Sequence, residues 1–275
     1  MTYQTVPLST ALGAEVKGVD LTHIDPSQAQ SLNELWLEHH VLVIRDSPVT
    51  EDELVEFARS FGPIESARRM SPLASRPEIM VISNIREGDA ALGALPDGEL
   101  YWHFDRVHQK VPNKAGVLHS IELPLKGGET RFSNMCEAYD ALSEETKRKL
   151  DGLTALNTYQ YGQTKSTDKQ LTEDSPSAVH PVVRTLPETG KKALYVCRLM
   201  TDRILELPEA ESDELLNELF DHCERPEFTY EHSWKVGDTL IWDNRCVLHA
   251  RNDFNENERR LLKRVTVGDT VAPAV

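Results

Sequence analysis

Apolar positions in the first eighty residues recur with two different periods. "LGAEVKGVDL" (12–21) alternates apolar and polar residues over a short stretch and predicts a strand. "DPSQAQSLNELWLEHH" instead places Leu32, Leu35 and Trp36 at helical spacing, with Asp25 as N-cap and Pro26 at the first helical position. "VLVIRD" is a compact apolar strand. "TEDELVEFARSFG" predicts a second helix: Thr50 and Glu53 form a capping box, and Leu54, Phe57, Ala58 and Phe61 make an apolar face. Gly62 is its stop. "IMVISNI" reads as another buried strand.

Further on, the period is mostly two. "GVLHSIELP" predicts a strand, and "KGGET" a Gly-Gly turn into the next, "TRFSN". Ser143 starts a short helix in "SEETKRKLDGL". Residues 157–178 are polar and aperiodic, and loops of that length are lids, binding loops or disordered segments; a lid is expected here. "HPVVRTLPETGKKALYV" predicts a hairpin turning at Pro187–Gly190. "LPEAESDELLNELFDHCE" is an acidic amphipathic helix with a solvated face, and strands return in "FTYEHSWKVGDTLIWDN" and "RRLLKRVTVGD". No repeat or linker interrupts the pattern. It predicts one sheet-rich domain over 1–275, decorated by helices.

Composition narrows the class. The 275 residues are 39% hydrophobic and 27% charged, enough for a sizeable core. The 45 acidic and 30 basic residues leave a net charge of -15, which argues against a partner such as nucleic acid or an anionic membrane surface. Any anion site must therefore be built from locally placed Arg or Lys. No basic start with an apolar h-region and no run of transmembrane length is present, so a cytoplasmic enzyme is expected. The four cysteines are widely spaced, without a CxxC pair, and read as buried thiols. There is no P-loop, no GxGxxG after a strand and no GxSxG elbow, which leaves nucleotide-dependent and serine-hydrolase readings unsupported.

Candidate chemistry begins at "YWHFDRVH" (101–108). If this stretch is extended, His103 and Asp105 share a face and Phe104 points the other way. An imidazole and a carboxylate together suit a divalent transition metal. His249, after an apolar strand, would complete a two-His, one-carboxylate face of the kind used by Fe(II) enzymes. Taken alone the pattern is weak, since HxD arises by chance in a chain with ten histidines. In "RRLLKRVTVGD", Arg260, Leu262, Arg264 and Thr266 fall on one face of a strand, and Leu261, Lys263, Val265 and Val267 on the other. Buried arginines need anions. Either a ligand carboxylate gripped by two parallel hydrogen bonds or some of the chain's own acids would serve. Trp102 and Trp242 read as walls of the site, His119 as a core histidine, and His39 and His40 as a helix end. Asp243 and Asn244 read as shaping the turn before His249.

Taken in order, "WHFD", "GGET", "WDNRCVLH" and "RRLLKRVTVGD" resemble the signature of the taurine dioxygenase and phenoxyacetate dioxygenase (TauD/TfdA) family of Fe(II)/2-oxoglutarate oxygenases. "LGAEVKGVDL", "VLVIRD", "FARSFGPIE", "AYDAL" and "HPVVRTLPETGKKALYV" are similar to that family too, so the resemblance spans nearly the whole chain. It implies a mixed α/β, mainly β fold. The core would be a double-stranded β-helix (jelly roll, clavaminate synthase-like) with flanking helices and iron at one open end. By the same resemblance His103, Asp105 and His249 match the iron ligands, and Thr130 and Arg260 match residues that hold the distal carboxylate of 2-oxoglutarate. Arg264 matches a second arginine that helps some members bind an acidic substrate, and Asn84 lies near positions that line the substrate pocket.

The implied reaction consumes O2 and 2-oxoglutarate and releases succinate and CO2 while oxidising a small, anionic or amino-acid-like molecule. Halogenating relatives lack the carboxylate ligand, so Asp105 favours hydroxylation. Two departures stand out. Phe104 replaces the Ser or Thr of many relatives, and "RVHQK" brings Arg106, His108 and Lys110 near the site. Arg106 and His108 are candidate substrate contacts, with a solvent-facing placement as the alternative. Relatives are often dimers or tetramers, which leaves a homo-oligomer open. The competing class is a non-oxidising, cupin-like metalloprotein, which needs no Thr130–Arg260 clamp.

Overall fold

Helical periodicity and N-caps mark the starts of the N-terminal helices correctly in the computed structural model, which describes residues 3–94, 98–160, 162–165, 172 and 174–274. The second helix ends at Arg59, three residues before the expected stop at Gly62. Pro26–His39 starts at Asp25, whose carboxylate accepts from the Gln28 N–H while the Gln28 side chain accepts from the Asp25 N–H, both at 2.9 Å. Thr50 and Glu53 cap Glu51–Arg59 in the same reciprocal way. The first helix ends on His40 at φ 62°, a left-handed position that glycine usually fills, and the imidazole turns into the core.

Both helices cover one face of an eight-stranded sheet. Its order is Gln4–Pro7, Ala14–Lys17, Val41–Ile44, Thr239–Asp243, Ala115–Glu122, Leu261–Val267 and Ile64–Glu65, with Ile79–Ser83 also paired to Leu261–Val267. Only Ala14–Lys17 with Val41–Ile44 is parallel. A second sheet of four strands runs Thr229–His232, Thr130–Asn134, Val247–Arg251, Leu100–His103. Side chains alternate across the larger sheet as period two demands. Leu42, Ile44, Ile241, Val265 and Val267 join Trp36, Leu54, Phe57 and Phe61 beneath the helices. Val41, Val43, Leu240, Trp242 and Leu262 face inward, in one cluster with Trp102 and Phe132 of the smaller sheet and Phe104 just beyond it. Strands buried on both faces read as unbroken apolar runs, which is why "VLVI" shows no alternation. Two largely antiparallel sheets packed over a shared core are the expected jelly roll.

The hairpin expected around Pro187–Gly190 joins Val183–Thr185 to Lys192–Leu194. The acidic helix, Glu209–Cys223, buries Leu215, Leu216, Leu219 and Phe220 on its inner side. All four cysteines are buried thiols. Of the segment read as a lid, 161, 166–171 and 173 lie outside the described residues; its two ends are the strands Thr154–Thr158 and Ser177–Pro181. Among the described residues no helix is long and apolar enough to cross a membrane.

Burial pushes His40 and His108 down to about 4 each. Unfolding returns both to about 6.5. Between those values the unfolded chain binds more protons than the folded one, so stability falls as pH drops through this window. Each ring contributes about 1.4 kcal/mol per pH unit well inside it. Urea midpoints are expected to fall between about pH 6.5 and pH 5; a flat midpoint over that range contradicts the burial of these rings.

Candidate active site

Strand pairing brings the two histidines together. His103 ends Leu100–His103 and lies directly opposite His249 of Val247–Arg251, so the rings are cross-strand neighbours with centroids 4.1 Å apart. Asp105 joins them by another route than the one expected. The strand stops at His103 and Asp105 sits in a turn, so strand alternation does not place it. Arg106 bends the chain with φ 55°, a left-handed conformation that costs a non-glycine residue about 1 to 3 kcal/mol. Asn244 holds the turn. Its Oδ1 accepts from the Asp105 N–H at 2.8 Å, and its Nδ2 donates to the carbonyls of Asp105 and Asn113, both at 3.0 Å. A side-chain amide thus makes the bonds that a neighbouring strand would have made. Phe104, fully buried, packs on Tyr195 with centroids 4.5 Å apart and anchors the same turn.

The three side chains converge on one point. His103 Nε2 lies 3.7 Å from Asp105 Oδ1, His249 Nε2 lies 3.3 Å from Asp105 Oδ2, and the three donor atoms are all within 4.8 Å of one another. His103 Nδ1 is 2.8 Å from the Tyr101 carbonyl. A carbonyl only accepts, so the proton sits on Nδ1 and Nε2 keeps its lone pair for a ligand. Burial, with His249 alongside, pushes His103 down to about 3, which keeps the ring neutral. Burial works against ionised Asp105, yet Arg264, with both imidazoles, holds its carboxyl well below the usual range. An unprotonated imidazole, a second ring and an ionised carboxylate form a donor set that fits Fe(II).

Arg260 and Arg264 both point inward from Leu261–Val267, as the strand reading predicts, while Lys263 on the other face pairs with Glu51 at 2.6 Å. Their partners differ. Arg264 makes two hydrogen bonds to Asp105, 3.0 Å to Oδ1 and 2.6 Å to Oδ2, and lies over Trp242. Arg260 donates from Nη2 to the Gly128 carbonyl at 3.1 Å, and its buried Nε has no partner. Among the described residues no carboxylate lies within ion-pair distance of it. Burial, then the charge of Arg251, pushes its pKa down to about 9. A buried cation without a paired anion is costly, and an anionic ligand here would relieve that cost. Gly128 permits this packing: it has φ 73°, and a Cβ there would lie 2.9 Å from Arg260 Nε. Thr130, two residues on, is buried at the start of its strand.

The other candidates surround this pair. Asn84 donates to the carbonyls of Glu256 (3.1 Å) and Glu258 (2.8 Å) and accepts from the Arg260 N–H (2.9 Å), so it holds the backbone leading to Arg260. Arg106 is half-buried and ion-paired with Glu65. His108 is buried and stacked on Tyr159 at 4.5 Å, and neither ring nitrogen has a partner. Neither residue is fully exposed to solvent.

The profile described as "Taurine catabolism dioxygenase TauD, TfdA family" matches residues 4–266. The chain belongs to the TauD/TfdA family. It is 33% identical to the (S)-phenoxypropionate/alpha-ketoglutarate-dioxygenase of Sphingobium herbicidovorans over 94% of this chain and 93% of that one. Identity to the alpha-ketoglutarate-dependent 2,4-dichlorophenoxyacetate dioxygenase of Cupriavidus pinatubonensis is 32%, covering 96% of each. Among solved structures, AAD-2 in complex with Mn(II) and N-oxalylglycine superposes with a TM-score of 0.85 at 28% identity, covering 100% of both chains. Family membership makes this TauD/TfdA chain an oxidoreductase and sets aside the non-oxidising cupin alternative.

Two supports of the TauD/TfdA site escaped the sequence reading. The "WDN" turn was expected to shape the approach to His249. Asp243 does so by pairing with Arg245 at 2.8 Å, whereas Asn244 grips Asp105. The Tyr101 carbonyl, a backbone atom, carries no sequence signal at all. Groups that orient metal ligands typically matter 10- to 100-fold in affinity. Asn244→Ala is expected to weaken Mn(II) or Fe(II) binding, measured by calorimetry, by roughly that factor. Wild-type affinity in the folded variant would show that the clasp does not position Asp105.

Proposed function

We propose that residues 1–275 act as one 2-oxoglutarate-dependent dioxygenase unit that hydroxylates a C–H bond of a small anionic molecule, amino-acid-like compounds included. The names of its relatives carry alpha-ketoglutarate dependence, which implies Fe(II), 2-oxoglutarate and O2 here. The balance is C–H plus 2-oxoglutarate plus O2, giving C–OH, succinate and CO2, with one oxygen atom in the alcohol and one in succinate. The observation that carries the reading is Arg260, buried beside the Gly-Gly turn with its Nε unpartnered and, among the described residues, no carboxylate within ion-pair distance.

His103, Asp105 and His249 would hold the iron, which when bound supplies the oxygen activation and the oxidising power. Arg260 and Thr130 grip the distal carboxylate of the cosubstrate. That grip fixes the distance from its far end to the keto acid group and so presents that group to the three ligands. Arg264 keeps Asp105 ionised and fixes its carboxylate plane through two hydrogen bonds.

Charge around Asp105 supports an anionic substrate. Burial and then the nearby Arg264 charge lower the pKa of Arg106, and His108 senses both Arg68 and Arg106. Arg264, Arg106 and Arg68 thus supply positive charge near Asp105 in a protein whose net charge is -15, although Arg264 and Arg106 are paired with Asp105 and Glu65, and such locally placed cations are what an anion site requires. Arg264 Nε and both His108 nitrogens are unpaired donors or acceptors for such a molecule. Asn84 contributes through the backbone it holds. The relatives' phenoxypropionate and 2,4-dichlorophenoxyacetate are carboxylates, in keeping with this choice.

Arg260→Ala is expected to raise the KM for 2-oxoglutarate by about a hundredfold or more, since breaking a buried charge pair costs about 3 to 5 kcal/mol, while Mn(II) affinity stays at the wild-type value. Unchanged cosubstrate affinity would overturn the assignment of the clamp. In a succinate-release screen, carboxylates, sulfonates or sulfates are expected to outpace their uncharged amides or esters by roughly tenfold, the worth of one charge-assisted hydrogen bond. Equal rates would remove the anionic part of the proposal.

A further inference from the structure

Thr130 Oγ1 receives a hydrogen bond from Trp234 Nε1 at 3.0 Å. The direction of this bond is unambiguous, because an indole N–H can only donate. Thr130 is therefore the acceptor, and its own proton remains to be placed. Among the described residues nothing accepts it. Arg260, packed against Gly128 two residues before Thr130, has only donors, one of which is spent on the Gly128 carbonyl. Among the described residues this corner of the site thus presents a hydroxyl proton and guanidinium N–H groups with no carboxylate to receive them, which suits a ligand that brings its own acceptor.

We infer that Trp234 is a positioning residue: its N–H occupies the acceptor side of the Thr130 hydroxyl and commits that hydroxyl's only proton to the distal carboxylate of the keto-acid cosubstrate. The inference rests on the 2-oxoglutarate reading of Arg260 and Thr130 and extends it to a residue outside that clamp. Without Trp234 the hydroxyl is free to rotate and to satisfy itself with water, so its alignment would be lost on each binding event. Trp234 is itself held in place. It stands on the loop between Thr229–His232 and Thr239–Asp243, with its ring edge-on to His232 (centroids 4.5 Å, 89°). His232 lies 3.2 Å from Asp238 and accepts or donates a 2.9 Å bond with Tyr230. Asp238 in turn takes Arg45 at 2.6 Å and the Lys235 N–H at 2.9 Å. The orientation of one hydroxyl proton is thereby tied to a braced polar chain behind it.

The test is binding of 2-oxoglutarate to Mn(II)-loaded protein by anaerobic calorimetry, with 2-oxopentanoate, which lacks the distal carboxylate, as the second probe. Trp234→Phe keeps a ring and removes the N–H. It is expected to weaken 2-oxoglutarate binding by roughly tenfold, the order of one hydrogen bond to a charged group, and to leave 2-oxopentanoate and Mn(II) affinities unchanged. In a Thr130→Val background, Trp234→Phe is expected to have no further effect. Equal weakening of both keto acids, additivity with Thr130→Val, or unchanged 2-oxoglutarate affinity overturns the inference. Should the Phe variant fail to fold, benzothienylalanine at position 234 preserves the ring shape without the N–H and is read by the same outcomes. If the wild-type protein binds neither keto acid, the 2-oxoglutarate reading falls first and this inference with it. If the wild type binds 2-oxoglutarate and only the Trp234 comparison fails, the parent reading stands.

Discussion

Arg264 belongs to the larger sheet and Asp105 lies just beyond a strand of the smaller one, so the two hydrogen bonds between them tie the sheets together across the inside of the jelly roll. Such a pair is weak evidence for stability. Apolar residues of similar volume often do as well, whereas losing one partner leaves an uncompensated charge and costs about 3 to 5 kcal/mol. Its chemical consequence is the stronger reason for its presence. Burial alone would drive Asp105 toward its neutral form, and a protonated carboxyl is a poor metal ligand. The guanidinium reverses that balance and fixes the carboxylate plane between His103 and His249.

The two sheets divide the work from this link outward. The smaller sheet and its edge supply the candidate metal donors, with His103 and His249 opposed in register and Asp105 clasped by Asn244. The larger sheet supplies the cations, four residues apart on Leu261–Val267 and its lead-in. One of them, Arg264, is neutralised within the protein, and the other, Arg260, is not. That asymmetry would let one strand serve both a metal held by Asp105 and an external carboxylate, as proposed above. It also explains why the Gly-Gly turn matters: Gly128 lets Arg260 pass close by, and the same turn leads into Thr130 two residues on.

What the chain reveals in one dimension follows the range of each interaction. Caps and periodic faces are local, and Asp25, Thr50 and the two faces of Leu261–Val267 were readable as they stand. The identities of His103, Asp105 and His249 were readable by residue type and by resemblance to the family. The reason Asp105 meets the histidines was not, because alternation assumes a strand that in fact ends at His103. Partners are harder still. Arg264 finds Asp105 across 159 positions, Asn244 finds it across 139, and Trp234 finds Thr130 across 104. Periodicity reports which face a side chain takes but not which side chain it meets there, so an arginine answered by Asp105 and one left for a ligand look alike in the sequence.

The most direct measurement is an anaerobic absorption titration of the metal-free protein with Fe(II) and then with 2-oxoglutarate. If His103, Asp105 and His249 hold iron and Arg260 delivers the keto acid to it, a visible metal-to-ligand charge-transfer band appears only when both are present. Folded, iron-loaded protein that shows no such band on saturation with 2-oxoglutarate would contradict the claim that these two halves of the site work on one metal.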